Sequence, residues 1–83
     1  MYESFPVKFI RPTSENTLQV NWIALETTSG NRVIQKGHVP FLARLKPNAE
    51  LTLETDKQVK ESMTLPAGVL HVTRTSATII IDE

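Results

Sequence analysis

The side chains that could do chemistry are few. Cysteine is absent, and the two histidines stand far apart, at positions 38 and 71. A zinc site wants a cluster of Cys, His or carboxylate ligands in close register, and His38, His71 and a carboxylate such as Glu61 do not form that pattern. Without cysteine there is no thiolate nucleophile and no disulfide framework. Gly30, Gly37 and Gly68 are isolated, so no glycine loop cradles a phosphate. No serine lies in a nucleophile-elbow pattern. The carboxylates fall mostly in turns and at strand edges, where water solvates them. These residues argue for binding and assembly rather than catalysis, with no metal and no cofactor.

Charge placement says more than charge total. Nine basic residues balance nine acidic ones. A neutral domain lacks the positive excess that nonspecific nucleic-acid binding draws on, so nucleic acid is not an expected partner. Between Glu26 and Glu50 there is no acidic residue, and Arg32, Lys36, Arg44 and Lys46 give that interval four uncompensated positive charges. Such a stretch is either a solvated face or a basic loop end that meets a complementary partner, adding on-rate and orientation.

The 83 residues are read as one domain, 1–83. Phe5, Val7 and Phe9 alternate on one face of a first strand, and Pro6 places that strand at an edge or pairs it on one side only near its start. Residues 12–17 are turn chemistry. Leu18–Thr28 is a second strand, with Ile23 and Leu25 on one face and Val20, Trp22 and Ala24 on the other. It is central and covered on both sides, or covered on one side by a partner. Ser29-Gly30-Asn31 is a tight turn, with Gly30 free to take positive φ. Residues 32–35 are a short strand.

Further on, Glu50–Glu54 alternates with Leu51 and Leu53 inward, and Asp56-Lys57 turns the chain. Residues 58–65 return with Val59, Met63 and Leu65 on one face. Val69–Thr73 and Ala77–Ile81 form a last pair, the second placed centrally because it is β-branched and apolar on both faces. His71 is read as a satisfied, partly buried histidine. No window carries the helical i, i+3, i+4 pattern, and turn residues recur about every 8–12 positions, which argues for a small antiparallel sandwich or barrel. No apolar run approaches the roughly 20 residues of a bilayer span. The first twenty residues lack a signal-peptide pattern. Any membrane link therefore runs through a partner.

One loop stands apart, Gly37-His38-Val39-Pro40-Phe41-Leu42. Gly37 permits unusual φ and Pro40 locks φ near −65°, which makes a rigid turn. His38 is exposed at the tip or folded back as a hydrogen-bonding strut. Phe41 and Leu42 are expected to anchor the loop in the core. A preorganised loop of this kind loses little entropy on docking.

At this loop the sequence resembles the epsilon subunit of F-type ATP synthase, called delta in mitochondria. That family shows a Ser- and Gly-containing turn, a short strand, a Gly-His-Ala-Pro-Leu-Leu type loop and a Leu-x-Pro-Gly ending. The matching residues are Ser29, Gly30, Gly37, His38, Pro40, Leu42, Leu45 and Pro47. Ala67-Gly68-Val69-Leu70-His71-Val72 is similar to the family's Gly-Gly-hydrophobic-Leu-x-Val hairpin. Ala77-Thr78-Ile79-Ile80-Ile81-Asp82 is similar to its Val-Thr-hydrophobic-Leu-Ala-Asp strand. The chain departs at Val33, where the family has a second glycine, and at Asn31-Arg32, where an acidic residue commonly follows the turn glycine. Lys46-Pro47-Asn48 replaces Pro-Gly, with Asn48 able to adopt the left-handed conformation. The family's C-terminal two-helix hairpin has no counterpart here, so its inhibitory switch and ATP site are not carried over.

The resemblance implies an all-β fold, a small antiparallel β-sandwich of about 8–10 short strands. It implies a noncatalytic rotor subunit of the central stalk that docks on the gamma subunit and the c ring and couples ion-driven rotation to ATP synthesis. The implied partner contacts are Ser29, Gly30, Asn31, Arg32, Gly37, His38, Val39, Pro40 and Arg44. The implied location is peripheral, on the cytoplasmic face of a bacterial plasma membrane or the equivalent organelle membrane, reached only through the c ring. The alternative is a free-standing β-sandwich adaptor or ligand-binding module that shares only the fold.

Overall fold

The computed structural model describes residues 3–82. It contains eight strands: β1 (Phe5–Arg11), β2 (Ser14–Thr27), β3 (Gly30–Ile34), β4 (Phe41–Arg44), β5 (Ala49–Thr55), β6 (Lys60–Leu65), β7 (Gly68–Val72) and β8 (Ala77–Ile81). No helix occurs among the described residues. The strand order is β4-β7-β8-β1-β2-β5-β6, and β3 pairs with β2 off that path. Every pairing is antiparallel except β1 with β8, which is parallel. The hairpin partner β7 holds the other edge of β8, so its direction beside β1 is already set.

The long strand β2 organises the sheet. Its first half pairs with β1, from Ser14 to Val20. Its second half pairs with β3 on one edge and β5 on the other. Between the halves the register slips, because Val20 pairs with Thr55 and Trp22 with Glu54. Asn21 is the extra residue of this bulge, which bends and twists a strand locally. Its side chain is buried, at 8% exposure, and donates from Nδ2 to Glu54 Oε1 at 2.9 Å and to the Thr55 carbonyl at 3.0 Å. A buried amide without such acceptors would cost a few kcal/mol.

The bulge corrects one expected face. Val20 lies in the core with Ile23 and Leu25, instead of on the Trp22 and Ala24 side, since one extra residue reverses the alternation. The core comprises Phe5, Val7, Phe9, Val20, Ile23, Leu25, Ile34, Leu45, Leu51, Leu53, Leu65, Leu70, Val72, Ala77, Ile79 and Ile81. Each large side chain among them contributes about 1.5–3 kcal/mol by leaving water. The far end of β2 is stitched to the end of β4: Thr28 N–H donates to the Arg44 carbonyl, Lys46 N–H to Glu26, and Thr27 bridges to Leu45. The curled sheet thus closes over its core.

Other expectations meet the structure as follows. Pro6 pairs only with Gln19, and the β8 pairing starts one residue later at Val7, so β1 is paired on one side only at the proline. The first turn is shorter than residues 12–17, because Ser14–Thr17 join β2 opposite Lys8–Arg11. The second turn is centred on Thr28 and Ser29, and Gly30, at φ 117°, already begins β3. Asn48 takes the left-handed conformation, φ 61°. Val59 is 54% exposed and lies outside β6, so only Met63 and Leu65 face inward there. The preceding Gln58, at φ 64°, ends the turn and swings Val59 outward. His71 is exposed and not partly buried, since it alternates with the buried Leu70 and Val72.

Candidate docking site

The contact residues implied by the family resemblance fall along one flank of the sandwich. At one end is the β2–β3 turn, where Thr27 Oγ1 donates to the Gly30 carbonyl at 2.9 Å and accepts from Ser29 N–H at 3.1 Å. Ser29, Gly30 and Asn31 are exposed there, beside Arg44 at the end of β4. At the other end is the 35–40 loop. Gly37, at φ 85°, donates its N–H to the Arg74 carbonyl at 2.9 Å, and His38 N–H reaches the Gln35 carbonyl at 3.1 Å. These bonds tie the loop to the β3 exit and to the β7–β8 turn.

His38 is folded back as a strut. Its ring is half-buried, with Nδ1 2.8 Å from the Val39 carbonyl, an acceptor to which Nδ1–H donates. The ring centroid lies 5.2 Å from that of Phe41. On the other side of Phe41 is Arg32, whose Cζ sits 5.6 Å from the ring centroid. Arg32 pairs with Leu25 in register, so it projects from the core-facing side of β3, at the open margin where β3 meets β4. Two of the expected contacts, Arg32 and His38, therefore gather around Phe41, which was expected only as a core anchor. Val39 and Pro40 extend from it into solvent.

Leu42 does not anchor the loop. It is 70% exposed, and only Phe41 packs against the core. A strand can bury one of two successive side chains, and β4 buries the aromatic one. Leu42→Ala is expected to leave stability within about 0.5 kcal/mol of the parent, as surface changes do. A urea melt checks this, and a loss near 2–5 kcal/mol would mean the leucine is a core residue.

Charge is also redistributed. Lys36 pairs with Glu3 at 3.0 Å and Lys46 with Glu26 at 3.6 Å. The four positive charges of the interval are thereby cut to two that have no carboxylate in ion-pair range among the described residues, Arg32 and Arg44.

Inspection of the strand faces adds residues that spacing did not single out. On the outer face of the β4-β7-β8-β1 layer, Arg44, Val69, Ile80, Ile10 and Glu15 stand side by side across five strands. Ile80 is 48% exposed, and Val69 and Ile10 are half-buried. The signal was present in Ile79-Ile80-Ile81, apolar on both faces. The cavity between Leu25, Leu45, Leu51 and Leu65 measures about 10 Å³, room for one water and far below the roughly 300 Å³ of a ligand pocket. The larger hollows are open surface grooves.

The pattern of the family described as "ATP synthase, Delta/Epsilon chain, beta-sandwich domain" matches residues 5–83. The chain belongs to this family. Among solved structures, the delta/epsilon sandwich is similar to a chain of the Euglena gracilis mitochondrial ATP synthase OSCP/F1/c-ring assembly, with a TM-score of 0.87 at 20% identity. That match covers 96% of this chain and 51% of the other. A chain of the Tetrahymena thermophila mitochondrial ATP synthase central stalk and c ring matches with a TM-score of 0.77 at 19% identity, over 99% of this chain and 66% of that one. At these identities the likeness is one of fold. The delta/epsilon domain here spans about half and about two thirds of the chains it matches. No curated protein matches it by sequence.

Proposed function

We propose that this delta/epsilon domain is a noncatalytic central-stalk subunit of an F-type ATP synthase, docking on the gamma subunit and the c ring so that ion-driven rotation reaches the catalytic head. The observation that carries the reading is the family match over residues 5–83. Both matched assemblies are ATP synthases containing a c ring, which supports the partner assignment. The flank bearing Ser29, Gly30, Asn31, Arg32, Gly37, His38, Val39, Pro40 and Arg44 is the docking surface. A torque-bearing contact needs little motion of its own, and this flank is braced by loop hydrogen bonds and by the Arg32–Phe41–His38 cluster. Leu42 and Arg44 connect it to the Val69–Ile80–Ile10 row, which widens the surface open to the same partner. The domain then lies peripheral to the membrane through the c ring, on the cytoplasmic face in a bacterium or the equivalent face in an organelle.

The test is affinity isolation of the tagged full chain from membranes in mild detergent. Gamma and c subunits are expected in the eluate. Their absence, with the tagged chain folded and abundant, would sink the proposal. A small apolar or polar ligand recovered instead would favour the adaptor reading, for which the structure offers only open surface grooves.

A further inference from the structure

We infer that Arg32 is the seat for a carboxylate on a loop of the docking partner, and that this residue decides which partner the flank accepts. The inference rests on the docking reading above and adds the chemistry of the contact. Lys36 and Lys46 already have carboxylates, from Glu3 and Glu26. Arg32 has none within ion-pair range among the described residues, although it is a long cation in a segment free of acidic residues from 27 to 49. It is nonetheless held in place. Its guanidinium lies over Phe41, and Phe41 is packed against the core, paired with Val72, and flanked by the His38 ring.

A cation–π contact uses the charge of the guanidinium and leaves N–H donors for an acceptor. Those donors form a planar fork, and a carboxylate is the planar acceptor that takes two of them at once. The stacking also removes part of the rotamer freedom that a long side chain otherwise loses on binding. A free phosphate or a nucleic acid would call for several converging cations, and the groove that Arg32 lines holds Glu26 and Glu50 and no second cation among the described residues. The fitting partner is therefore a protein loop that presents a single Asp or Glu to Arg32.

The experiment titrates the full chain onto a purified stalk–c-ring subcomplex at low and high salt. Wild type is compared with Arg32→Ala, Arg32→Glu and Arg32→Lys, each checked by thermal melting. Arg32→Ala is expected to weaken binding about 30-fold or more, as when one member of a desolvated charge pair is truncated. Arg32→Glu should lose more, and Arg32→Lys should fall between, since it keeps the charge without the fork. The salt dependence should flatten in Arg32→Ala. Changing the opposed partner acid to Lys should restore binding to Arg32→Glu. Wild-type affinity in Arg32→Glu overturns the inference, as does a loss in Arg32→Ala with unchanged salt dependence. A folded wild-type chain that binds no subcomplex overturns the docking reading itself, and the inference with it.

Discussion

Gly68→Ala is expected to destabilise the domain by about 3 kcal/mol, at the upper end of the usual cost of overpacking. Gly68 is buried at the start of β7, opposite Ile81. A Cβ there would run into the backbone carbonyl of Ile80 and would meet Leu45 Cδ1 at 3.3 Å. Relief by backbone movement is blocked from both sides. The Gly68 carbonyl accepts Leu45 N–H at 2.9 Å, and Asp82 N–H donates to the preceding Ala67 carbonyl at 2.8 Å. Shifting β7 away from β8 would loosen the Leu45 seam that joins β4 to β2. In a domain of this size each kcal/mol moves the melting temperature by about 4–8 °C, so a fall of about 12–24 °C is expected. Calorimetry of the parent and variant decides it. A shift under about 4 °C would show that the sheet absorbs the methyl group.

The strands whose alternation is local were legible in the sequence, and the features that depend on distant partners were not. Leu51 and Leu53 turn inward because polar residues separate them, and β5 needs nothing else to be read. Ile79 and Ile81 are buried and Ile80 is half-open, which the two-sided apolar run announced without saying which face would be covered. The Asn21 bulge was invisible, because its acceptors, Glu54 and Thr55, lie more than thirty residues away. Its consequence was a wrong face for Val20. Leu42 was misplaced for a simpler reason. Phe41 and Leu42 are both apolar, and composition cannot say which of two neighbours a strand buries.

The same division holds at the docking flank. The loop residues were picked out by Gly37 and Pro40, whose backbone demands are intrinsic to the residue type. Lys36 pairs with Glu3 near the start of the chain, and Arg32 meets Phe41 only because the 35–40 loop folds back, so no spacing rule revealed either contact. The broadly basic end thereby becomes two arginines with no carboxylate in ion-pair range among the described residues. A partner docking on this flank, as proposed, would meet a more selective surface than the sequence implied. Its attraction is concentrated at Arg32 and Arg44 and not spread over four side chains.

Phe41→Ala is expected to remove stability and docking together, which separates it from every other change on the flank. The side chain is half-buried and packs against the core, so its truncation should cost about 2 kcal/mol, below the 3–5 kcal/mol of a fully buried phenylalanine. Loss of the ring also strips Arg32 of its platform and His38 of its ring contact. An exposed cation–π contact contributes about 0.5–1 kcal/mol, which a double-mutant cycle with Arg32→Ala should report as coupling. Phe41→Leu distinguishes the two roles. Leucine restores most of the apolar packing but offers no π-face, so stability should largely recover while binding to the stalk does not. Urea melts supply the stability terms, and titration onto the stalk–c-ring subcomplex supplies the docking terms. Full recovery of binding in Phe41→Leu would show that Phe41 only fills space, and that Arg32 finds its position without the ring.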